Sequence, residues 1–294
     1  MRSRFSIRGL TLILLACASV CSAPVLARAP GARAGRATPA LKSNSVYVLD
    51  ETNSSVLLAR QADVAMPIAS ITKLMTALVV LEAGQPLDEQ LAITREDRSG
   101  ARYGRSRLDV GTTLSRADLL HLALMSSENR AAHALGRNYP GGLAACVQAM
   151  NAKARALGMV SAQFVEPTGL SSGNVASSED LAKLVVAASE SPAIQEYSTD
   201  KSYAVPVRRH LVEFRNTDSL VRNSTWNIIV QKTGYIAAAG SCLVIKAIFE
   251  NRSIVIVLLD SVGKHTRVAD AKRIRQWMES HLTAESVRPV THKA

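Results

Sequence analysis

Residues 66–81 read MPIASITKLMTALVVL, a short start followed by an almost unbroken apolar run. Proline is well tolerated where a helix begins and glycine commonly ends one, so the stretch predicts a helix that opens after Pro67 and ends at Gly84. Residues three apart share a helix face about one turn apart, which brings the hydroxyl of Ser70 within reach of the amine of Lys73. A lysine whose pKa is lowered by burial, a nearby cation or the helix macrodipole can take a serine proton. The stretch therefore predicts a serine nucleophile with a lysine base.

Apolar runs on both sides of this helix indicate the fold class. Two short strand-like runs precede it, three helical zones follow it, and the chain ends in a Val- and Ile-rich hairpin and an amphipathic helix. We predict an α+β chain whose terminal segments share one antiparallel sheet, with a helical lobe in the middle and a ligand cleft between lobe and sheet. The predicted strands are 45–50, 55–60, 242–249 and 254–259, the last two joined by a turn at Asn251 and Arg252. The predicted helices are 115–134 (capped by Ser115 and Asp118), 141–157, 179–189 and 268–282.

Spacing alone does not single out Ser70, because residues 198–201 and 261–264 also match S-x-x-K. A companion motif, Ser127-Glu128-Asn129, follows in the helical region at a predicted bend. It supplies a second hydroxyl for proton relay and a carboxamide able to bond both the lysine and a substrate amide. S-x-N also recurs at residues 172–174, so this motif is informative only in combination.

The second companion motif, Lys232-Thr233-Gly234, occurs once and opens the apolar terminal region. A strand there would let a ligand approach the backbone of Gly234 closely. The order S-x-x-K, S-x-N, K-T-G is the pattern of penicillin-binding proteins and serine β-lactamases, so the chain resembles these enzymes.

Longer phrases around the motifs narrow the resemblance: IASITKLMT (68–76), LMSSENRAA (124–132), FVEPTGL (164–170) and KTGY (232–235). Across residues 43 to 282 the chain resembles the D-alanyl-D-alanine endopeptidase group of low-molecular-weight penicillin-binding proteins. The resemblance implies the β-lactamase or transpeptidase-like fold, a five-stranded antiparallel sheet flanked by helices, with an all-helical subdomain.

The resemblance also implies a mechanism without cofactor or metal. Ser70 would attack a D-alanyl carbonyl, Lys73 would take the proton, Ser127 would pass it to the departing amine, and water would release the acyl group. A β-lactam would acylate the same serine and leave slowly. The implied binding residues are Asn129 for the peptide amide, Lys232 and Thr233 for the substrate carboxylate, Gly234 for close approach, and Tyr235, whose N–H would complete the oxyanion hole with that of Ser70.

Rival functions are less well matched by the residues. A β-lactamase commonly has a deacylating glutamate in an E-x-x-L-N loop, whereas Glu166 stands in EPTGL, so we expect it to support a loop. A noncatalytic penicillin sensor would need a signalling domain or membrane segment. A zinc D,D-peptidase would need clustered histidines, but the pattern H-E-x-x-H does not occur among the six histidines His121, His133, His210, His265, His281 and His292.

Within the resembling group, the choice lies between carboxypeptidase and endopeptidase action. Carboxypeptidases often carry a further β-domain and an amphipathic C-terminal anchor, whereas here the final predicted helix leaves about a dozen residues, 283–294, as a short tail. We therefore favour an endopeptidase that cuts the D-alanyl to diaminopimelate cross-link, with removal of terminal D-alanine as the alternative.

The first 27 residues have the pattern of a signal peptide, three arginines followed by an apolar segment of roughly 15 residues, too short for a bilayer-spanning helix. We expect cleavage after Ala27 or Ala23, a disordered lead-in over residues 28–42, and a periplasmic catalytic domain over 43–282. A lipoprotein-like box ending at Cys17 is the alternative, and we expect no transmembrane segment after cleavage.

Charge and cysteine content limit which partners and disulfides the chain can have. The chain carries a formal net charge of +11, which for an exported protein favours weak association with anionic wall polymers or lipid headgroups and not with nucleic acid. Only Cys146 and Cys242 lie beyond the leader; we favour two buried thiols, with one disulfide left open. The densest cluster of arginines is predicted to lie in a solvated loop. Its members are Arg95, Arg98, Arg102, Arg105 and Arg107.

Overall fold

The structure is a computed structural model and describes residues 38–98, 106–263 and 265–286. Its strands, in chain order, are β1 (Ser43–Asp50), β2 (Ser55–Arg60), β3 (Met66–Pro67), β4 (Gln90–Ala92), β5 (Thr113–Ser115), β6 (Val175–Ala176), β7 (Ser202–Val207), β8 (His210–Arg215), β9 (Asn227–Ile236), β10 (Gly240–Phe249) and β11 (Arg252–Ser261). Its α-helices are α1 (Thr72–Glu82), α2 (Arg116–Met125), α3 (Asn129–Arg137), α4 (Gly142–Ala156), α5 (Ser178–Ala188), α6 (Pro192–Thr199) and α7 (Thr266–Ser286).

One five-stranded antiparallel sheet, in the order β2-β1-β11-β10-β9, joins the two ends of the described chain. β1 pairs directly with β11, with Tyr47 opposite Val257. The predicted α+β class, the terminal sheet and the middle helical lobe are therefore confirmed. Two-residue alternation along β10 sends Leu243 and Ile245 to the α7 side, while Val244 joins the core under the helical lobe.

The β10–β11 hairpin was predicted with its turn one residue too late. Phe249 pairs with Arg252, so the turn is Glu250–Asn251 and Arg252 already belongs to the strand. Both turn residues have positive φ, 49° and 62°, which matches the twist that a two-residue hairpin turn requires. Asparagine tolerates this left-handed conformation, so Asn251 favours the turn more strongly than Glu250 does.

The predicted helix 115–134 is two helices, α2 and α3, separated by residues 126–128. Its N-terminus is as predicted, since Ser115 and Asp118 form a reciprocal capping box. The break comes where the N–H groups of Ser126 and Glu128 both bond the carbonyl of Leu122, and Ser127 adopts a left-handed φ of 60°. The glutamate then caps α3 by accepting from Arg130 N.

Several elements differ from the sequence prediction. The hairpin β7–β8 and helix α6 were not predicted, and α7 runs from Thr266 to Ser286, beyond both ends of the predicted 268–282. Cys146 and Cys242 are buried free thiols, as favoured.

The boundaries of the lead-in and leader are only partly within the described residues. Residues 38–42 carry no helix or strand, yet Lys42 N bonds the Asp270 carboxylate at 2.9 Å. The predicted leader, Cys17, Arg102 and Arg105 lie outside the described residues.

Candidate active site

Ser70 sits in a tight turn ahead of α1, and not inside the helix as the sequence suggested. Residues 66–67 pair with β6, Ile68 N bonds Asn174 O at 3.1 Å, and a short 3-10 turn, Ala69–Ile71, leads into Thr72. Ala69 has a φ of 48°, a left-handed conformation that costs a non-glycine residue ~1–2 kcal/mol. The surrounding structure holds this strain, which fixes the hydroxyl at the mouth of the helix.

Two glycines make room for that turn. A Cβ on Gly169 would lie 1.9 Å from Ala69 O, and a Cβ on Gly234 would lie 3.2 Å from Ser70 N. The sequence predicted close backbone approach at the K-T-G glycine, with a ligand as the approaching group. The structure shows that the serine turn itself already occupies part of that space.

Lys73 lies fully buried behind the serine. Its Nζ contacts Ser70 Oγ at 2.9 Å, Asn129 Oδ1 at 2.8 Å and Thr168 O at 2.6 Å. The last two atoms can only accept, whereas the serine oxygen can also donate. A neutral amine fits this set: it donates two N–H bonds to the amide and carbonyl oxygens and accepts the serine proton on its lone pair.

Burial lowers the pKa of Lys73 from its usual 10.5 to about 7, against the opposing charges of Glu166 and Glu128. Burial removes the water that would solvate the charged form of the amine. None of the three hydrogen-bond partners of Lys73 is a carboxylate that could replace this solvation. The pKa therefore lies near neutrality, where a lysine can take a proton from a serine.

Glu166 organises the loop that supplies the carbonyl of Thr168. Its carboxylate accepts from the backbone N–H groups of Thr168 and Gly169, each at 2.6 Å, and from Asn174 Nδ2 at 3.0 Å. These bonds occupy both oxygens within the loop, which supports the predicted loop role. The same bonds hold residues 164–170 so that the carbonyl of Thr168 contacts Lys73. In the sequence this segment stood out only as a phrase that matches the resembling group.

Ser127 and Asn129 flank the cleft from the helical lobe. The break between α2 and α3 places the serine in the left-handed region and the asparagine at the first residue of α3. Both line the same cleft as Ser70. The bend that interrupts the predicted helix is thus the feature that turns the S-x-N motif toward the serine.

The K-T-G residues lie on β9, the edge strand on the other side of the cleft, and their side chains are buried to different depths. Lys232 is fully buried and its Nζ bonds Thr233 O at 2.9 Å, so it lies beneath the cleft and is not one of its lining residues. Burial and the nearby Lys73 and Arg267 charges lower the pKa of Lys232 well below its usual value. The hydroxyl of Thr233 reaches the cleft and lies 2.6 Å from Thr217 Oγ1.

The cleft between lobe and edge strand has a volume of about 640 Å³. Arg267, from the first turn of α7, is the single basic side chain among the described residues that line it, and its Nη1 bonds Gly234 O at 2.7 Å. The lining residues are Ser70, Ser127, Asn129, Leu170, Thr217, Thr233, Gly234, Tyr235, Ile236, Ala237 and Arg267.

Sequence reasoning missed Arg267, Thr217 and Thr168. Arg267 follows the last strand on a separate helix with no local motif, and Thr217 lies just after the unpredicted hairpin β7–β8. Thr168 acts through a backbone carbonyl, which no side-chain motif encodes. The only available signal was the FVEPTGL phrase that contains it.

The competing S-x-x-K at Ser198 is not a second site. Its hydroxyl bonds the backbone carbonyl of Gln195 at 3.3 Å, and Lys201 is exposed. Lys264, in the other match, lies outside the described residues.

Clustered metal ligands and membrane-spanning helices are both absent from the described part of the chain. No group of three or more His, Cys, Asp or Glu side chains could hold a metal ion there. Within the same residues, no helix combines the length and apolar character needed to cross a bilayer.

Solved structures with this architecture include a D-alanyl-D-alanine carboxypeptidase and a DD-transpeptidase. A D-alanyl-D-alanine carboxypeptidase from Mycobacterium tuberculosis has a TM-score of 0.75 at 27% identity, covering 87% of this chain and 96% of the other. A mutant DD-transpeptidase from Streptomyces has a TM-score of 0.75 at 26% identity, covering 83% of this chain and all of the other. Fold and site together define the serine D,D-peptidase class, as predicted.

Sequence relatives are more specific. The D-alanyl-D-alanine endopeptidase of Pseudomonas aeruginosa is 49% identical over 82% of this chain and 78% of its own length, and that of Escherichia coli is 42% identical over 94% and 89%. The profile of the D-alanyl-D-alanine carboxypeptidase family, peptidase family S11, matches residues 32–263. The chain belongs to this family, which confirms the resemblance and the hydrolase class.

Proposed function

We propose that the protein hydrolyses D-alanyl peptide bonds in bacterial peptidoglycan through an acyl-enzyme on Ser70. The observation that carries the proposal is the buried Lys73 amine, 2.9 Å from the Ser70 hydroxyl and with a pKa lowered to about 7. A neutral lysine in hydrogen-bond contact with a serine satisfies both requirements of a general base, geometry and pKa.

In the proposed acylation step, Ser70 Oγ attacks the D-alanyl carbonyl and its proton passes to Lys73 Nζ. The tetrahedral intermediate collapses as the peptide C–N bond breaks, and Ser127 relays a proton to the departing amine. Water then attacks the ester, gives its proton to the enzyme and releases the acyl group with a regenerated serine. The N–H groups of Ser70 and Tyr235 would bind the oxyanion, an interaction that typically lowers the barrier by ~3 to 4 kcal/mol.

The leaving residue would be held by its carboxylate at the end of the cleft marked by Thr233 and Arg267. The sequence prediction assigns this carboxylate to Lys232 and Thr233; Lys232 is fully buried, and Arg267, which the sequence did not single out, lines the cleft. We propose that Arg267 and the Thr233 hydroxyl contact the carboxylate, while Lys232 supports the site from beneath. A guanidinium pairs well with a carboxylate because it presents several donors in one plane.

Asn129 would orient the peptide from the opposite wall. Its oxygen accepts from Lys73 at 2.8 Å, so its Nδ2 group can donate to a substrate carbonyl. This arrangement couples substrate position to the base, since movement of the carboxamide disturbs both contacts.

The proposed cleavage is of cross-links between peptide strands. Relatives from Pseudomonas aeruginosa and Escherichia coli, 49% and 42% identical, are named as endopeptidases. The family description and the more distant relatives support the second candidate, removal of a terminal D-alanine. Both reactions use the same serine and differ in what leaves.

We also propose that β-lactams acylate Ser70 and persist there, because the Glu166 carboxylate is held within its own loop and is not arranged to activate a deacylating water. We further propose export to the periplasm, where this substrate lies, through a leader at residues 1–27. The proposed lead-in is 28–42, the catalytic domain 43–282 and the tail 283–294, with α7 continuing into the tail as far as Ser286.

The proposed function is tested with Ser70→Ala. The variant should lose labelling by a fluorescent penicillin and hydrolysis of purified cross-linked muropeptides, followed by mass spectrometry. Ser198→Ala, in the unrelated S-x-x-K, is the matched control and should retain both activities. If Ser70→Ala still labels and cleaves, the nucleophile assignment is wrong. If the wild-type protein releases only terminal D-alanine, the carboxypeptidase alternative replaces cross-link cleavage.

A further inference from the structure

A second pocket opens beside the catalytic cleft, past the carboxylate end. It has a volume of about 560 Å³ and shares Tyr235, Ala237 and Arg267 with the cleft. We call it the side pocket. Its lining residues are Tyr235, Ala237, Gly240, Ser241, Asp260, Ser261, Val262, Gly263 and Arg267.

The walls of the side pocket are formed where β10 begins and β11 ends. Asp260 has a left-handed φ of 48° and packs so closely on Gly240 that a Cβ there would lie 2.4 Å from its Oδ1. Asn44 Nδ2 bonds Asp260 Oδ2 at 2.7 Å, and Ser241 Oγ bonds Gly263 O at 3.2 Å. These contacts join the walls of the pocket to β1 and to the residues just after β11.

The chemistry of its lining is mixed. Val262 and Tyr235 are 68% and 67% exposed, so their apolar surfaces can contact a hydrocarbon chain. Asp260, Ser241 and Ser261 also line the pocket and contribute oxygen atoms that can accept from amide N–H groups. Apolar surface beside such oxygens suits a methylene chain that ends in a peptide.

The geometry of the leaving residue leads to this pocket. Its carboxylate and its side chain branch from the same Cα, so a carboxylate held at Arg267 and Thr233 places the side chain close to Arg267. The arginine stands at the boundary between cleft and side pocket. An alanine methyl would remain in the cleft, whereas a longer side chain would need a space of this kind.

We propose that the side pocket binds the side chain of the residue whose amine leaves, and so selects a D-configured diamino acid joined to a second peptide over terminal D-alanine. The inference rests on the proposed function and adds the residues that decide what leaves. Val262 and Ala237 are the specificity-determining positions, because both line the side pocket, Ala237 just after β9 and Val262 just after β11.

The test compares two synthetic substrates with one acyl half. In the first the leaving residue is D-alanine, and in the second it is D-lysine whose side-chain amine is acetylated. Val262→Phe and Ala237→Phe should each lower the ratio of kcat/KM for the second substrate to kcat/KM for the first by about tenfold, the scale on which a filled pocket discriminates side chains. Val160→Phe, at a 93% exposed valine away from both cavities, is the control for added bulk and should leave the ratio unchanged.

Each outcome is decisive. If both variants keep the wild-type ratio, or lose the two activities in equal proportion, the side pocket does not bind the leaving side chain, although serine catalysis is unaffected. If the wild-type protein hydrolyses both substrates without preferring the second, the side pocket is not selective and the inference fails. If it hydrolyses neither substrate, the proposed function itself fails.

Discussion

The two ends of α3 contact buried ionisable groups that lie in opposite electrostatic settings. At its first residue, Asn129 contacts the buried Lys73, whose three hydrogen-bond partners are uncharged groups. Toward its other end, His133 and Arg137 contact the buried Asp97 at 2.8 and 3.0 Å. Similar burial therefore produces a neutral base at one end and a fixed ion at the other.

The pKa values follow the partners. Burial lowers the pKa of Lys73 to about 7, because no directly bonded anion stabilises the charged form. Burial alone would raise the pKa of Asp97, but hydrogen bonds from His133, Arg137 and Thr94 N together lower it to about 2. Lys73 stays reactive because it lacks directly bonded charged partners of the kind that stabilise the ionised form of Asp97.

The largest effect is expected from removing the base. Lys73→Met keeps the unbranched chain but cannot take the Ser70 proton, so the rate of acylation should fall by about 10²–10⁴-fold, the usual contribution of a general base. The measurement is the rate of fluorescent-penicillin labelling at saturating probe. Lys201→Met, the exposed lysine of the other S-x-x-K, should label at the wild-type rate. Unchanged labelling of Lys73→Met would show that the buried amine is not the base.

At the opposite end of α3, removing the charge should change stability and leave catalysis alone. Asp97→Asn leaves Arg137 and His133 without their counter-ion, and should lower the free energy of unfolding by about 2–3 kcal/mol at pH 7, as lost charged hydrogen bonds do. Urea unfolding measures it, with the exposed Asp88→Asn as control. A variant as stable as the wild-type protein would mean that the buried ion contributes nothing net.

The sequence predicted much of the Lys73 site at one end of α3. It predicted nothing of the Asp97 site at the other end. S-x-x-K, S-x-N and K-T-G are local motifs, and the hydroxyl–amine contact follows from helical spacing. Asp97 meets His133 only through tertiary packing between a loop and α3, which no local pattern encodes. For the same reason, Arg267 and the carbonyl of Thr168 could not be found before the fold was known.

Prediction of the elements failed where tertiary contacts override local preference. Residues 115–134 are apolar enough for one helix, yet the left-handed Ser127 splits it. The strained Ala69 likewise places Ser70 in a turn that the apolar run does not suggest. Both departures occur at residues that line or support the cleft, where the fold holds a local conformation that the sequence alone would not favour.

The smallest expected effect concerns pH and the stability of the active site. Between about pH 7 and 10 the unfolded chain binds a proton at Lys73 that the native protein does not, so wild-type stability should rise with pH. Lys73→Met lacks this proton. Its stability relative to the wild-type protein should therefore fall by about 1.2 kcal/mol from pH 7.5 to 8.5.

Lys232, whose pKa is also lowered by burial, is present in both proteins. The Lys73 amine beside it is largely uncharged above about pH 7, so the contribution of Lys232 to the pH dependence largely cancels in the comparison. Urea unfolding at the two pH values gives the difference, with Lys201→Met as the control that should track the wild-type protein. A constant gap between wild type and Lys73→Met would show that the native amine is already protonated, which contradicts the contrast between the two ends of α3.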